Sequence, residues 1–349
     1  MIVISSLSTL LLVIAISLQP AATSDAAALP IVAASSYTDE VAEQKPIVEA
    51  VKAAIDRSDY RALNRLETEF RLTRSRTSSG IWKLSLFHWR ILTELGPKGD
   101  GGGCDDRATD FFQGWLAATP GEAALHISRA AVLEAYAWCI RGGGYAGSVS
   151  REALDSFQAK VAEARGILTA HPTASIDPHY YAVMERIYID QGAEKSDFKR
   201  LLDDATSREP NYHYLYFNAY RYFQPQWYGS DAEVDELARY AAARTTKAEG
   251  LGMYARYYWF AIDCHCDINQ SIDWPTMKRA MRDVMARYPA DWNAANFARI
   301  ACQMNDPNEA AAWLRNVKGD PGKAWGDRDE MRRCLRMAQA SPASAERSS

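Results

Sequence analysis

The side chains with the most reactive potential in this 349-residue chain stand in one short run, Asp263-Cys264-His265-Cys266-Asp267. Thiolates and an imidazole are zinc ligands by type. A structural zinc site needs four ligands, and no second C-x-x-C or spaced histidine pair completes the set nearby, so no metal is assigned. Cysteine number argues the other way: there are six, an even count that reads as disulfides in an exported chain.

A second candidate is the loop Pro225-Gln226-Trp227-Tyr228-Gly229-Ser230, in which a large indole lies between two helical patterns where packing does not require one. Arg221, about one helical turn before it, adds a planar cation that could pair with a carboxylate or stack on a sugar or aromatic ring. Arg221, Trp227 and Tyr228 are therefore taken as ligand-binding candidates, against the alternative that Trp227 is a wedge between helices. Asp203, Asp204, Asp231, Glu233, Asp235 and Glu236 could supply an acid/base pair. Acids in the first turn after Ser230 also complement a helix dipole, and Asp203 and Asp204 end a surface face, so these are read as solvated. No G-x-S-x-G, H-E-x-x-H or kinase-like set occurs, and Gly99 to Gly103 and Gly142 to Gly144 lack the context of a phosphate cradle. No catalytic residue and no cofactor are assigned.

Helices must position these groups. Tyr212, Leu215, Tyr216, Ala219, Tyr220 and Phe223 follow the i, i+3, i+4, i+7 template, and Leu251, Tyr254, Ala255, Tyr258, Trp259 and Ile262 repeat it. Between them Val234, Leu237, Ala238, Ala241 and Ala242 keep the period, behind an S-x-x-E capping box at Ser230 and Glu233. Similar patterns run from Gln44 to Val317, with proline stops at Pro172, Pro210 and Pro289. His88 falls on the apolar face of its helix and reads as a hydrogen-bonded core histidine. No segment alternates with period two. The fold expected is all-α, a right-handed stack of antiparallel helix pairs over residues 44–338, resembling a tetratricopeptide solenoid without its strict period. A helix hairpin turning at Thr119 to Gly121 would set Cys104 and Cys139 about 16 and 19 residues from its tip, at heights differing by roughly 4 to 5 Å, which predicts a bridge. The same construction returns Cys302 to the end of the stack that holds Cys264 and Cys266, leaving Cys334 unassigned.

Ahead of this domain, Ile2 to Leu18 is apolar and Ala21 to Ala28 is a small-residue tract, the form of a cleaved signal peptide over residues 1–26. The rival reading is a membrane anchor, for which the run is short. Residues 339–349 are small and polar and are expected to be a disordered tail. The net charge of −4 becomes −3 when Asp25 leaves with the signal, which gives no electrostatic reason to bind nucleic acid or an anionic membrane.

Tyr136-Ala137-Trp138 with Arg141-Gly142, Pro210-Asn211-Tyr212, the Pro225 to Ser230 loop, and Phe297-Ala298 with Ala301-Cys302 and Asp306 resemble recurrent motifs of a bacterial family of uncharacterised proteins. That family carries a domain of unknown function with tetratricopeptide-like helices, and the resemblance spans roughly Ala62 to Val317. It implies a helical fold and no assigned activity. The chain departs from the family's pattern at Gln226 and Tyr228. The function expected is an exported binding or assembly module for a protein, peptide or glycan in the periplasm or outside the cell; the alternative is an all-helical enzyme on a carbohydrate or peptide.

Overall fold

Aspartate and serine caps divide the chain into its helices. The computed structural model describes residues 39–98, 104, 108–144, 146–263, 271–325 and 327–340. Side chains of Asp39, Asp59, Ser150, Ser230, Asp273, Asp306 and Asp327 each accept from the first turn of the helix they precede, satisfying donors that have no intrahelical partner. The helices are α1 (Glu40–Asp56), α2 (Tyr60–Thr73), α3 (Lys83–Leu95), α4 (Thr109–Ala118), α5 (Ala123–Arg141), α6 (Arg151–Ala170), α7 (His179–Asp190) and α8 (Lys195–Arg208). They continue as α9 (Tyr214–Phe223), α10 (Asp231–Glu249), α11 (Gly252–Asp263), α12 (Trp274–Arg287), α13 (Asp291–Gln303), α14 (Pro307–Leu314), α15 (Gly322–Trp325) and α16 (Arg328–Gln339). Among the described residues there is no strand beyond one isolated bridge, Arg76 to Trp82.

The packing is that of helix pairs in two layers. Helices α3, α5, α7, α9 and α11 touch in sequence, and α6, α8, α10 and α12 each back onto the partner before them. Two apolar cores result, one from Ile47 to Leu215 and one from Ile189 to Ala338, with Tyr188 packed against both. The three-helix region from α9 to α11 is as aromatic inside as its periodicity implies: Tyr216, Tyr220, Tyr254, Tyr257 and Tyr258 are buried. Tyr212 lies before α9 in a turn, its N–H donating to Glu209 O.

Cys104 and Cys139 are bonded with Cα atoms 5.6 Å apart, at the end of the α4–α5 hairpin away from its turn. Cys302 is bonded to Cys334, also at 5.6 Å, and so is not the partner of Cys264 or Cys266. Helix geometry does return α13 to the end of α11, where Arg299 pairs with Asp263, but α16 packs on α13 and α14 and delivers Cys334 to Cys302. Cys264 to Asp267, the signal-like segment and residues 341–349 lie outside the described residues.

One connection departs from a stack that contacts only its neighbours. The loop from Arg74 to Trp82 leaves α2 through a left-handed Arg74 (φ 49°) and is buried at Thr77 and Ser79. Its tip meets helices far along the chain: Ser79 O accepts from Arg256 Nη2 and from Asn293 Nδ2, both at 3.1 Å. Gly80 is required there, because φ is +93° and a Cβ would stand 2.5 Å from Arg256 Nη2.

Candidate functional site

A buried loop must have its backbone groups satisfied, and here the partners bring distant charges together. Glu43 and Glu40 accept from Ser78 N and Ser79 N on one side of the loop. On the other side Arg76 donates to Asn211 O (2.9 Å), as does Trp82 Nε1 (2.6 Å). Arg256, on α11, gives Nε to Glu249 Oε2 at 2.9 Å. His213 Nε2 lies 3.1 Å from Glu249 Oε1 and 3.1 Å from Arg76 Nη1. Nε2 thus stands between a guanidinium that only donates and a carboxylate that only accepts, and it serves one of them at a time. Burial decides the charge, holding His213 down to about 4 although Glu249 pulls it up, so the imidazole is neutral. Burial would raise Glu249, yet Arg256 and then His213 outweigh it and keep the carboxyl well below its ordinary value. With His213 neutral, that hold rests on Arg256.

Above this junction opens a cavity of about 240 Å³ lined by residues of the loop, α3, α9 and α11. Its walls are rings: Trp82, Tyr212, Tyr214, Phe217, Trp259 and Phe260, with Ile81, Ser85, His213, Arg256 and Asp263 between them. Phe217 and Phe260 stack face to face, centroids 4.7 Å apart, and Phe260 is 36 % exposed. Asp263 is the one carboxylate among these lining residues and is paired with Arg299. Behind the cavity the Tyr212 hydroxyl and His179 Nδ1 share a hydrogen bond of 2.8 Å; His179 stacks on His88 at 4.0 Å, and His88 Nε2 is 2.7 Å from Asp177 Oδ2. Desolvation keeps His179 well below its ordinary value, so the ring is neutral. His88, Asp177 and His179 are buried, and the array braces Tyr212. His88 is thus the hydrogen-bonded core histidine its helical face implies.

The loop singled out in the sequence is used differently. Arg221 places its guanidinium carbon 4.1 Å from the Trp227 ring centroid and 4.6 Å from that of Trp138 on α5, a cation held between two indoles. Tyr228 is partly exposed, and its hydroxyl donates to Ile189 O at 3.0 Å. Asp190 lies 3.7 Å from Arg221 and accepts from Trp138 Nε1 at 2.9 Å. Burial and the neighbouring Glu134 push its carboxyl up to about 8. Trp227 therefore folds back onto α5 and α9 in part, and the three residues form one unit with Trp138.

Of the six candidate carboxylates, Asp203, Asp204, Glu233 and Asp235 are engaged between helices, while Asp231 and Glu236 are exposed, as the solvated reading has them. Asp235 accepts from Tyr254 and Tyr258, each at 3.0 Å, Asp204 from Tyr181 at 3.0 Å, and Asp203 from Tyr240 at 2.7 Å. Asp203, Glu233 and Glu236 line a second cavity of about 260 Å³ with Phe223 and Tyr240. Glu233 is there bound to Lys195 at 2.7 Å.

No family model, no curated protein and no solved structure matches this chain. The aromatic cavity escaped the sequence reading because its members come from four separate stretches, each with an ordinary local role. The polar run Arg74 to Gly80, ending in Ile81-Trp82, was the available signal.

Proposed function

We propose that the chain is a ligand-binding module of the exported, tetratricopeptide-like family it resembles, and that the ring-lined cavity between α3, α9 and α11 is where it binds. The observation that carries this is the joint presence of apolar rings at the mouth and a buried, charge-fixed floor. Ligand sites combine mostly apolar walls with a few placed polar groups. At about 240 Å³ the chamber suits one ring-sized group of a larger molecule and is smaller than the roughly 300 Å³ at which drug-sized sites begin. Export is supported by the two bonded cysteine pairs, since such bonds persist in oxidising compartments. No helix of the described residues is long and apolar enough to cross a membrane.

The test is a set of tryptophan-fluorescence titrations with short peptides and with chito- and malto-oligosaccharides. One class is expected to give a saturable change that the double variant Phe217→Ala, Phe260→Ala removes while its helical circular dichroism is kept. A change that persists in the double variant overturns the reading, as does silence from these probes and from small aryl acids alike.

A further inference from the structure

The cavity's floor says what the ring it holds should carry. Arg256 is only 5 % exposed, yet it lines the cavity and uses two of its five N–H donors, Nε to Glu249 and one of Nη2 to Ser79 O. Nη1 has no acceptor among the described residues. A buried guanidinium with idle donors is completed by an acceptor, and a carboxylate is the one that matches its planar fork. The charge balance agrees: Glu249 is the carboxylate bonded to Arg256, and it also acts on Arg76, for which Glu209 is a weaker neighbour. Of the remaining polar groups two are committed elsewhere, while the Tyr214 hydroxyl and Trp259 Nε1 have no hydrogen-bond partner among the described residues. Ser85 Oγ donates to Trp82 O at 2.7 Å, and Asp263 is held by Arg299. A sugar ring would strip water from several hydroxyls and find few partners, whereas an aryl ring loses nothing by entering.

We propose that the cavity is a site for aryl carboxylates, the ring against Phe217, Phe260 and Trp82 and the carboxylate on the guanidinium of Arg256. This rests on the binding reading above. Two sources share that chemistry, a free aryl acid and an aromatic residue at a peptide C-terminus.

The full chain is titrated by calorimetry with N-acetyl-phenylalanine and its amide, with 3-phenylpropionate, and with the tripeptide Gly-Gly-Phe as acid and as amide. Each acid is expected to bind at least tenfold tighter than its amide, and Phe260→Ala to weaken the acids at least fivefold with an unchanged melting temperature. Tighter binding of the tripeptide acid than of 3-phenylpropionate assigns a chain terminus, and the reverse assigns a free acid; either supports the site. Arg256→Lys, which keeps the charge and loses the fork, is expected to cut the acid-to-amide ratio to under threefold. Equal binding of acid and amide overturns the inference while leaving the binding reading in place, and so does saturable binding of an oligosaccharide with none of the aryl acids. Silence from every peptide, sugar and aryl probe overturns both.

Discussion

Two arginines in this protein are packed against rings beside a buried carboxylate, and they are held in opposite ways. Arg256 has an ionised partner: Glu249 at 2.9 Å, kept charged by that same guanidinium. Arg221 has a partner that keeps its proton, because burial and Glu134 push Asp190 up to about 8 and the 3.7 Å separation is too long to reverse it. The first is an ion pair that fixes a distant loop; the second is a cation stabilised by Trp138 and Trp227. The contrast shows that a conspicuous loop tryptophan can be occupied with its own protein, while the ring-lined cavity forms where inconspicuous residues meet.

If the comparison is right, the largest effect belongs to Arg256→Ala. Leaving Glu249 buried without its cation is expected to cost about 3 to 5 kcal/mol in urea unfolding, whereas Arg221→Met should cost no more than about 2 kcal/mol. Equal losses would erase the distinction. The pH dependence sharpens it next. Asp190 is raised, so its contribution is full below about 4 and is lost as pH rises through about 8. His213 is lowered to about 4, so its contribution is full above about 6.5 and is lost as pH falls toward 4. Stability of wild type minus that of Asp190→Asn should therefore fall by up to about 1.4 kcal/mol per pH unit between pH 4 and 8, and wild type minus His213→Gln should rise between pH 4 and 6.5. Slopes of the same sign would refute the assignment of protons.

Trp227→Ala comes third. Its indole is half-buried on Arg221, so a loss of about 1 to 2 kcal/mol is expected, with affinity for N-acetyl-phenylalanine unchanged. A loss above about 3 kcal/mol would make it a core wedge. The smallest effect is a gain. Glu185 on α7 is fully buried, raised well above its ordinary value by burial, and neither carboxyl oxygen has a hydrogen-bond partner among the described residues. Glu185→Met, similar in volume, should add about 1 kcal/mol in the same urea measurement; a loss would reveal a partner for the acid.

The helices were legible because their signals are local. Periods of 3.6 mark α9 to α11, Ser230 caps α10 through Glu233 N, and a hairpin's arithmetic pairs Cys104 with Cys139. The site was not, for the same reason inverted. Trp82, His213 and Arg256 each look like core or turn residues in their own windows, and only tertiary folding puts them around one space. Asp235 misled in a milder way: in sequence it reads as one of the solvated acids near the start of α10, and the two tyrosines that claim it arrive from the next helix. Cys302 shows the limit of stacking arithmetic, which returned it to the correct edge without knowing that α16 would come back to meet it.

The seat of Ser79 also orders events in time. Its carbonyl is held by residues 177 and 214 positions later in the chain, whereas the paired helices of the stack can join as soon as each neighbour is made. Contacts of such sequence separation form slowly, since the intervening chain must be closed before they reward it. A chain emerging from its amino terminus would complete α1 to α9 with the Arg74 to Trp82 loop still unseated, and the ring-lined chamber would be the last part of the molecule to exist. Pulsed hydrogen exchange during refolding is expected to protect amides of α5 and α6 before those of Thr77 and Gly80, which donate within the loop itself.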